Sequence, residues 1–129
     1  MGKTIFLTLE QVLFIHTTQI DNYGGSDDLR DLGLLESAIL RSQSTFSGRD
    51  LYSSVFEKSA AYAHSLILNH PFVDANKRTA IVSALTFLEI NGHTVSMSQK
   101  EIIDGCLKIE SKKWNIGKIS KWLKTHTSN

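Results

Sequence analysis

Residues 70–91 read His70-Pro71-Phe72-Val73-Asp74-Ala75-Asn76-Lys77-Arg78-Thr79-Ala80-Ile81-Val82-Ser83-Ala84-Leu85-Thr86-Phe87-Leu88-Glu89-Ile90-Asn91, and this stretch decides the fold. Pro71 ends any helix before it, because the residue preceding a proline is pushed out of the α region. Asp74 reads as an N-cap. From there Ala80, Ile81, Val82, Ala84, Leu85, Phe87 and Leu88 cover nearly every side of a helix that Asn91 and Gly92 stop. A helix that is apolar all round is a buried one, so residues 74–91 are expected at the centre of a bundle.

Helical periodicity continues on both sides. Residues 8–19 carry Leu9, Val12, Leu13 and Ile15 at helical spacing, with Thr8 as cap and Tyr23-Gly24-Gly25 as a stop. Residues 34–43 place Leu35, Ala38 and Ile39 on one face, and Val55–Asn69 does the same with Val55, Phe56, Ala60, Ala63 and Ile67. A fifth helix is expected from residue 97 or 98 to 109. A sixth covers 115–126, with Ile116, Ile119, Trp122 and Leu123 inward. The polar stretch 44–54 holds Gly48 and reads as a loop or short hairpin. No alternating strand exceeds a few residues. The expected class is all-α, a helical bundle around a central buried helix with room for one small β-hairpin, and residues 1–129 read as a single domain.

Composition sets the outer limits. The chain has 129 residues, 41% of them hydrophobic and 21% charged, and its net charge is +1. That is ordinary globular usage, and it excludes nucleic-acid binding by a bulk positive field. Cys106 is the only cysteine, so neither an internal disulfide nor a paired-cysteine zinc site can form. Residues 59–73 lack Asp, Glu, Lys and Arg, but His64, Asn69, His70 and Pro71 interrupt them, and no run reaches the roughly 18 apolar residues of a membrane helix. Glu10 cuts the only apolar run near the start, Phe6 stands where an N-myristoylation motif on Gly2 needs Ser or Thr, and Met1-Gly2-Lys3-Thr4 lacks the first glycine of a P-loop. A cytoplasmic protein with no membrane attachment is expected.

Chemistry concentrates at the start of the 74–91 helix. Lys77 and Arg78 fall in its first turn, where the helix dipole prefers acidic side chains. The placement makes sense if an anion sits there, held by free N–H groups and both cations. Asp74 beside a phosphate could share Mg²⁺ with it. His70 could take a proton from an attacking hydroxyl near neutral pH. The same residues also fit a plain structural role, with a histidine at a helix junction and two cations on a solvated rim.

The run His70 to Arg78 closely resembles the signature of the Fic/Doc family, His-x-Phe-x-Asp/Glu-Gly-Asn-x-Arg, which His70, Phe72, Asp74, Asn76 and Arg78 match. Tyr23-Gly24-Gly25, Arg30-Asp31, Leu34-Leu35-Glu36-Ser37-Ala38 and Asn91-Gly92 are similar, in order, to landmarks of its Doc (death-on-curing) branch, toxins of type II toxin–antitoxin systems. AMP-transferring Fic members carry a second glycine and a second arginine where this chain has Lys77 and Ile81. Ala75 replaces the usual first glycine, as it also does in Doc-type toxins.

The resemblance implies a Fic-type bundle and a transferase that passes the terminal phosphate of ATP, with Mg²⁺, to a Ser or Thr hydroxyl of a protein such as elongation factor Tu, blocking translation. It implies His70 as general base, Asp74 as the Mg²⁺ ligand, Asn76, Lys77 and Arg78 as phosphate and nucleotide contacts, and Phe72 as packing. Residues 44–54 would form a flap over the target peptide. The self-inhibitory Ser/Thr-x-x-x-Glu-Gly/Asn motif of some Fic proteins is missing: Ser53 to Glu57 comes nearest and Lys58 breaks it. Inhibition is therefore expected from a small antitoxin whose C-terminal helix docks on the toxin. The alternatives are AMP transfer to a protein hydroxyl, or a catalytically weak antitoxin-binding module.

Elsewhere, His16, His93 and His126 show no partner pattern, and His64 reads as a hydrogen-bonded core or rim residue. Cys106 reads as inert, and Trp114 and Trp122 as packing. Lys112, Lys113, Lys118, Lys121 and Lys124 read as a solvated face, with no direct nucleic-acid partner expected.

Overall fold

The computed structural model describes residues 3–128, so the readings placed on Met1 and Gly2 lie outside the described residues. The order is α1 (Leu9–Tyr23), α2 (Leu32–Leu40) running into a 3-10 turn (Arg41–Gln43), β1 (Thr45–Phe46), β2 (Arg49–Asp50), α3 (Val55–Asn69), α4 (Asn76–Ile90), β3 (Thr94–Val95), α5 (Gln99–Glu110), α6 (Ile116–Thr125) and β4 (Thr127–Ser128). The mostly-α bundle is as expected, and the small hairpin is present: β1 and β2 pair antiparallel, Thr45 opposite Asp50 and Phe46 opposite Arg49. Ser47 and Gly48 between them both have positive φ, as a two-residue hairpin turn requires. A second small ladder, β3 with β4, was not expected; it ties the chain after α4 to its C-terminal end.

Helix starts follow local chemistry. Thr8, Ser54 and Ser98 each open a capping box, with Gln11, Glu57 and Glu101 reaching back. Glu57 thus serves the α3 cap, and its Oε1 also accepts from Ser53. The Ser53 and Ser54 donors, the Ser54 N–H foremost, hold its carboxyl below the usual carboxylate range. Asp31 caps α2 two residues earlier than expected, and α1 runs on to Tyr23 because only Gly24, at φ 87, stops it.

The centre of the bundle is shared. We expected the helix after Asp74 to be the most buried, yet α3 buries nine residues and α4 eight. It is α3 that packs against α2, α4, α5 and α6, whereas α4 meets α1, α3 and α5. The reason lies in small and satisfied polar residues that hydropathy overlooks. Ala60, Ala61 and Ala63 are fully buried, Ser59 Oγ donates across to the Ala84 carbonyl at 2.8 Å, and Tyr62 Oη receives the Leu7 N–H at 3.0 Å. Lys58 is buried as well, with Nζ 2.5 Å from the Tyr52 carbonyl and 3.0 Å from Asp50 Oδ2, so it anchors the hairpin.

Candidate active site

At the end of α3 the chain turns through His70 in the left-handed region (φ 48, ψ 56). Arg30 clamps that turn: its Nε donates to the His70 carbonyl at 2.5 Å and its Nη2 to the Asn69 carbonyl at 2.7 Å. These carbonyls end a helix, where a cation is favourable. The Asp28–Asp31 backbone runs alongside, with the Arg30 and Asp31 N–H groups on the Pro71 carbonyl and the Val73 N–H on the Asp28 carbonyl.

Below the loop, Phe72 is buried and stacks on the His16 ring at 3.7 Å and 6°. His16, also buried, sets Nε2 2.8 Å from the Asp74 carbonyl oxygen and Nδ1 3.1 Å from Asp27 Oδ1. A histidine that showed no sequence pattern is therefore a prop beneath the motif. Asn76 is the other brace. Its Oδ1 receives the Phe72 N–H at 3.0 Å, and its Nδ2 donates to the Phe72 carbonyl at 2.9 Å and lies 3.4 Å from His70 Nδ1. Its side chain is thus committed to holding the loop and the histidine.

Asp74 does not cap α4, contrary to our expectation. Its Oδ2 accepts the Ser26 N–H at 2.8 Å instead. Gly25 permits this approach, since it sits at φ 111 and a Cβ there would lie 3.2 Å from Asp74 Cβ. The N-cap position belongs to Ala75, itself left-handed (φ 66, ψ 28), and no side chain caps the helix. The first N–H groups of α4 therefore face a cleft of about 300 Å³ lined by His70, Val73 and residues 74–78. Arg78 lies over the Tyr23 ring at 5.2 Å and reaches the Gly24 carbonyl at 3.4 Å, while its buried Nε has no hydrogen-bond partner among the described residues.

Sequence reasoning gave Glu110 no role. At the end of α5, its two carboxylate oxygens each lie 3.3 Å from Lys77 Nζ, and Oε2 lies 3.7 Å from His70 Nε2. Nothing in the sequence flags a contact spanning 33 positions. Arg30 and Gly25 were visible only as landmarks without a role.

A second, largely apolar groove of about 330 Å³ adjoins the cleft, sharing Lys77 and Arg78 and lined further by Tyr23, Ile81, Ile102, Ile103 and Leu107. Cys106 also borders it, and burial pushes its thiol up to about 11, so it carries little thiolate at neutral pH. His64 receives an Arg41 N–H at 2.9 Å; burial first, then the Arg41 charge, lowers its pKa. Among the described residues no three His, Cys, Asp or Glu side chains converge as a metal site.

The model of the Fic/DOC family matches residues 6–88, well over half the chain, and those residues hold the whole braced loop. The chain belongs to the Fic/DOC family. Two relatives carry the Doc name. One is "Toxin Doc" of Mycolicibacterium smegmatis, 46% identical over 89 residues, which are 69% of this chain and 66% of that protein. The other is "Protein kinase doc" of Escherichia phage P1, 40% identical over 83 residues, 64% of this chain and 65% of that one. The chain thus spans just under two thirds of the length of these Fic/DOC relatives.

Proposed function

We propose that the chain is a toxin of kinase type that transfers the terminal phosphate of ATP to a Ser or Thr hydroxyl of a protein target, elongation factor Tu being the first candidate, and so blocks translation. One observation carries this reading: α4 opens without a side-chain cap onto a cleft that also holds His70, Asp74, Lys77 and Arg78. Unpaired helix N–H groups and two cations suit a phosphate chain. The Arg78 Nε that lacks a partner is a donor such a ligand would satisfy. Asn76 would contribute through its main-chain N–H.

In the transfer, His70 accepts the proton of the target hydroxyl as its oxygen attacks the terminal phosphorus. The bond from that phosphorus to the bridging oxygen breaks, and ADP leaves with the electron pair. Asp74 is exposed, with one carboxylate oxygen committed to Ser26, and among the described residues it belongs to no cluster of three His, Cys, Asp or Glu side chains. That donor set fits Mg²⁺ held jointly with phosphate oxygens and does not fit a protein-only cage. Mg²⁺, when bound, would neutralise phosphate charge there. The hairpin 45–50, with Phe46 exposed at its turn, is our candidate for ordering the target peptide.

The apolar groove beside Lys77 and Arg78 suits the amphipathic helix of an antitoxin, since Tyr23, Ile103 and Leu107 are exposed along it. Labelled ATP tests the reading. Label from the γ-phosphate should appear on elongation factor Tu and disappear in His70→Ala. Label from the α-phosphate would mean AMP transfer, and neither label would mean a binding module.

A further inference from the structure

Among the described residues, Glu110 is the only residue outside the 70–78 loop whose side chain forms an ion pair with His70 or Lys77. Its place is firmly set. Ile109 is fully buried beside it, Cys106 is buried one turn earlier, and the Ser111 and Lys113 N–H groups close the end of α5 on the Leu107 and Lys108 carbonyls. The carboxylate is about one-third exposed, which leaves it partly screened but close to two functional groups at once.

We infer that Glu110 is a positioning residue of the transfer site, opposing nucleotide in the ground state and favouring proton uptake by His70 during transfer. The inference rests on the function proposed above. Its first half follows from Lys77: the ammonium sits 3.3 Å from both Glu110 oxygens, so an arriving phosphate must compete with an anion already there. Its second half follows from His70. The ring gains a positive charge when it takes the hydroxyl proton, and the nearest anion stands 3.7 Å from Nε2. One carboxylate therefore weakens ATP binding and speeds the step that follows, two effects that an incidental surface ion pair would not couple.

The test is Glu110→Gln, with nucleotide affinity and turnover measured in parallel on the full chain. The probes are the non-hydrolysable analogue AMP-PNP with Mg²⁺ for affinity and ATP with elongation factor Tu for turnover. Affinity should rise and kcat should fall, each by roughly 2–5-fold for a partly exposed pair. Glu110→Asp keeps the charge on a shorter stem and should return part of both changes. Opposite shifts support the inference. No shift, a shift in only one quantity, both moving in the unfavourable direction, or a rise in kcat overturns it. If the wild-type chain transfers no phosphate to elongation factor Tu, the proposed function fails by itself. The AMP-PNP arm then decides alone: tighter binding supports the Lys77 half, and unchanged or weaker binding overturns the inference.

Discussion

The start of α3 and the start of α4 differ in a way that separates folding from function. Both helices have 15 residues and both lie in the core. At α3, Ser54 Oγ receives the Glu57 N–H and Glu57 Oε1 receives the Ser54 N–H, each at 3.1 Å, so the end is satisfied from within. At α4, Ala75 stands at the cap in a left-handed conformation with no side-chain partner. Among the described residues, every other α-helix begins with a side-chain cap, from Thr8, Asp31, Ser54, Ser98 or Asn115. Five α-helix starts are thus capped, and the donors at the sixth have no side-chain partner among the described residues. The strained Ala75 and the diverted Asp74 show that the open end is held by tertiary contacts.

The sharpest way to break this contrast is at the open end. His70→Ala should lower transfer by roughly 10²–10⁴-fold, the worth of a positioned general base, while melting temperature stays near wild type, because the imidazole is half-exposed. A variant that transfers at the wild-type rate would remove His70 from the chemistry. Arg78→Ala should weaken nucleotide binding by about tenfold or more, the scale of a charge-assisted contact, as measured by titration with Mg²⁺ present. The matched change at the closed end, Ser54→Ala, should do the reverse. It should cost about 1 kcal/mol in denaturant unfolding and leave nucleotide affinity unchanged.

Smaller effects refine the picture. Ala75→Gly should stabilise by about 0.5 kcal/mol, because left-handed backbone costs alanine about 1–2 kcal/mol and glycine's extra freedom when unfolded offsets part of the relief. Urea titration would check the sign. The smallest effect belongs to another closed start, α5. The Ser98 N–H, then His126, hold Glu101 below the usual carboxylate range, while the Trp122 carbonyl, then Glu101, hold His126 above the usual histidine range. The lowered carboxyl contributes stability above its ordinary range and loses it as pH falls through its folded value. The raised imidazole contributes below its ordinary range and loses it as pH rises through its folded value. The wild-type advantage in melting temperature over a Glu101→Gln/His126→Gln variant should therefore be greatest near about pH 5.5 and shrink toward both acid and alkali.

How much was legible depends on the range of the interaction. The α3 bounds match their sequence reading, and α5 and α6 begin one residue after the expected 98 and 115, because a cap or capping box reads only three residues ahead. The second ladder was not legible, since β3 and β4 are two-residue strands at opposite ends of the last third of the chain. Asp74 misled for a related reason. An aspartate before a helix is usually its cap, and only the fold could offer it the Ser26 N–H, 48 positions away.

The sequence by itself determined the helices, the short hairpin, and the five motif residues, from His70 to Arg78, that mark the family. Tertiary structure decided what those residues do to one another. His16 meets Asp74 across 58 positions, Arg30 meets His70 across 40, and Glu110 meets Lys77 across 33. Helix signals are written in backbone bonds three or four residues long, so a linear reading contains them. The charge around a site depends on distances of a few ångströms between segments far apart in the chain, and those exist only once α1, α4 and α5 have packed.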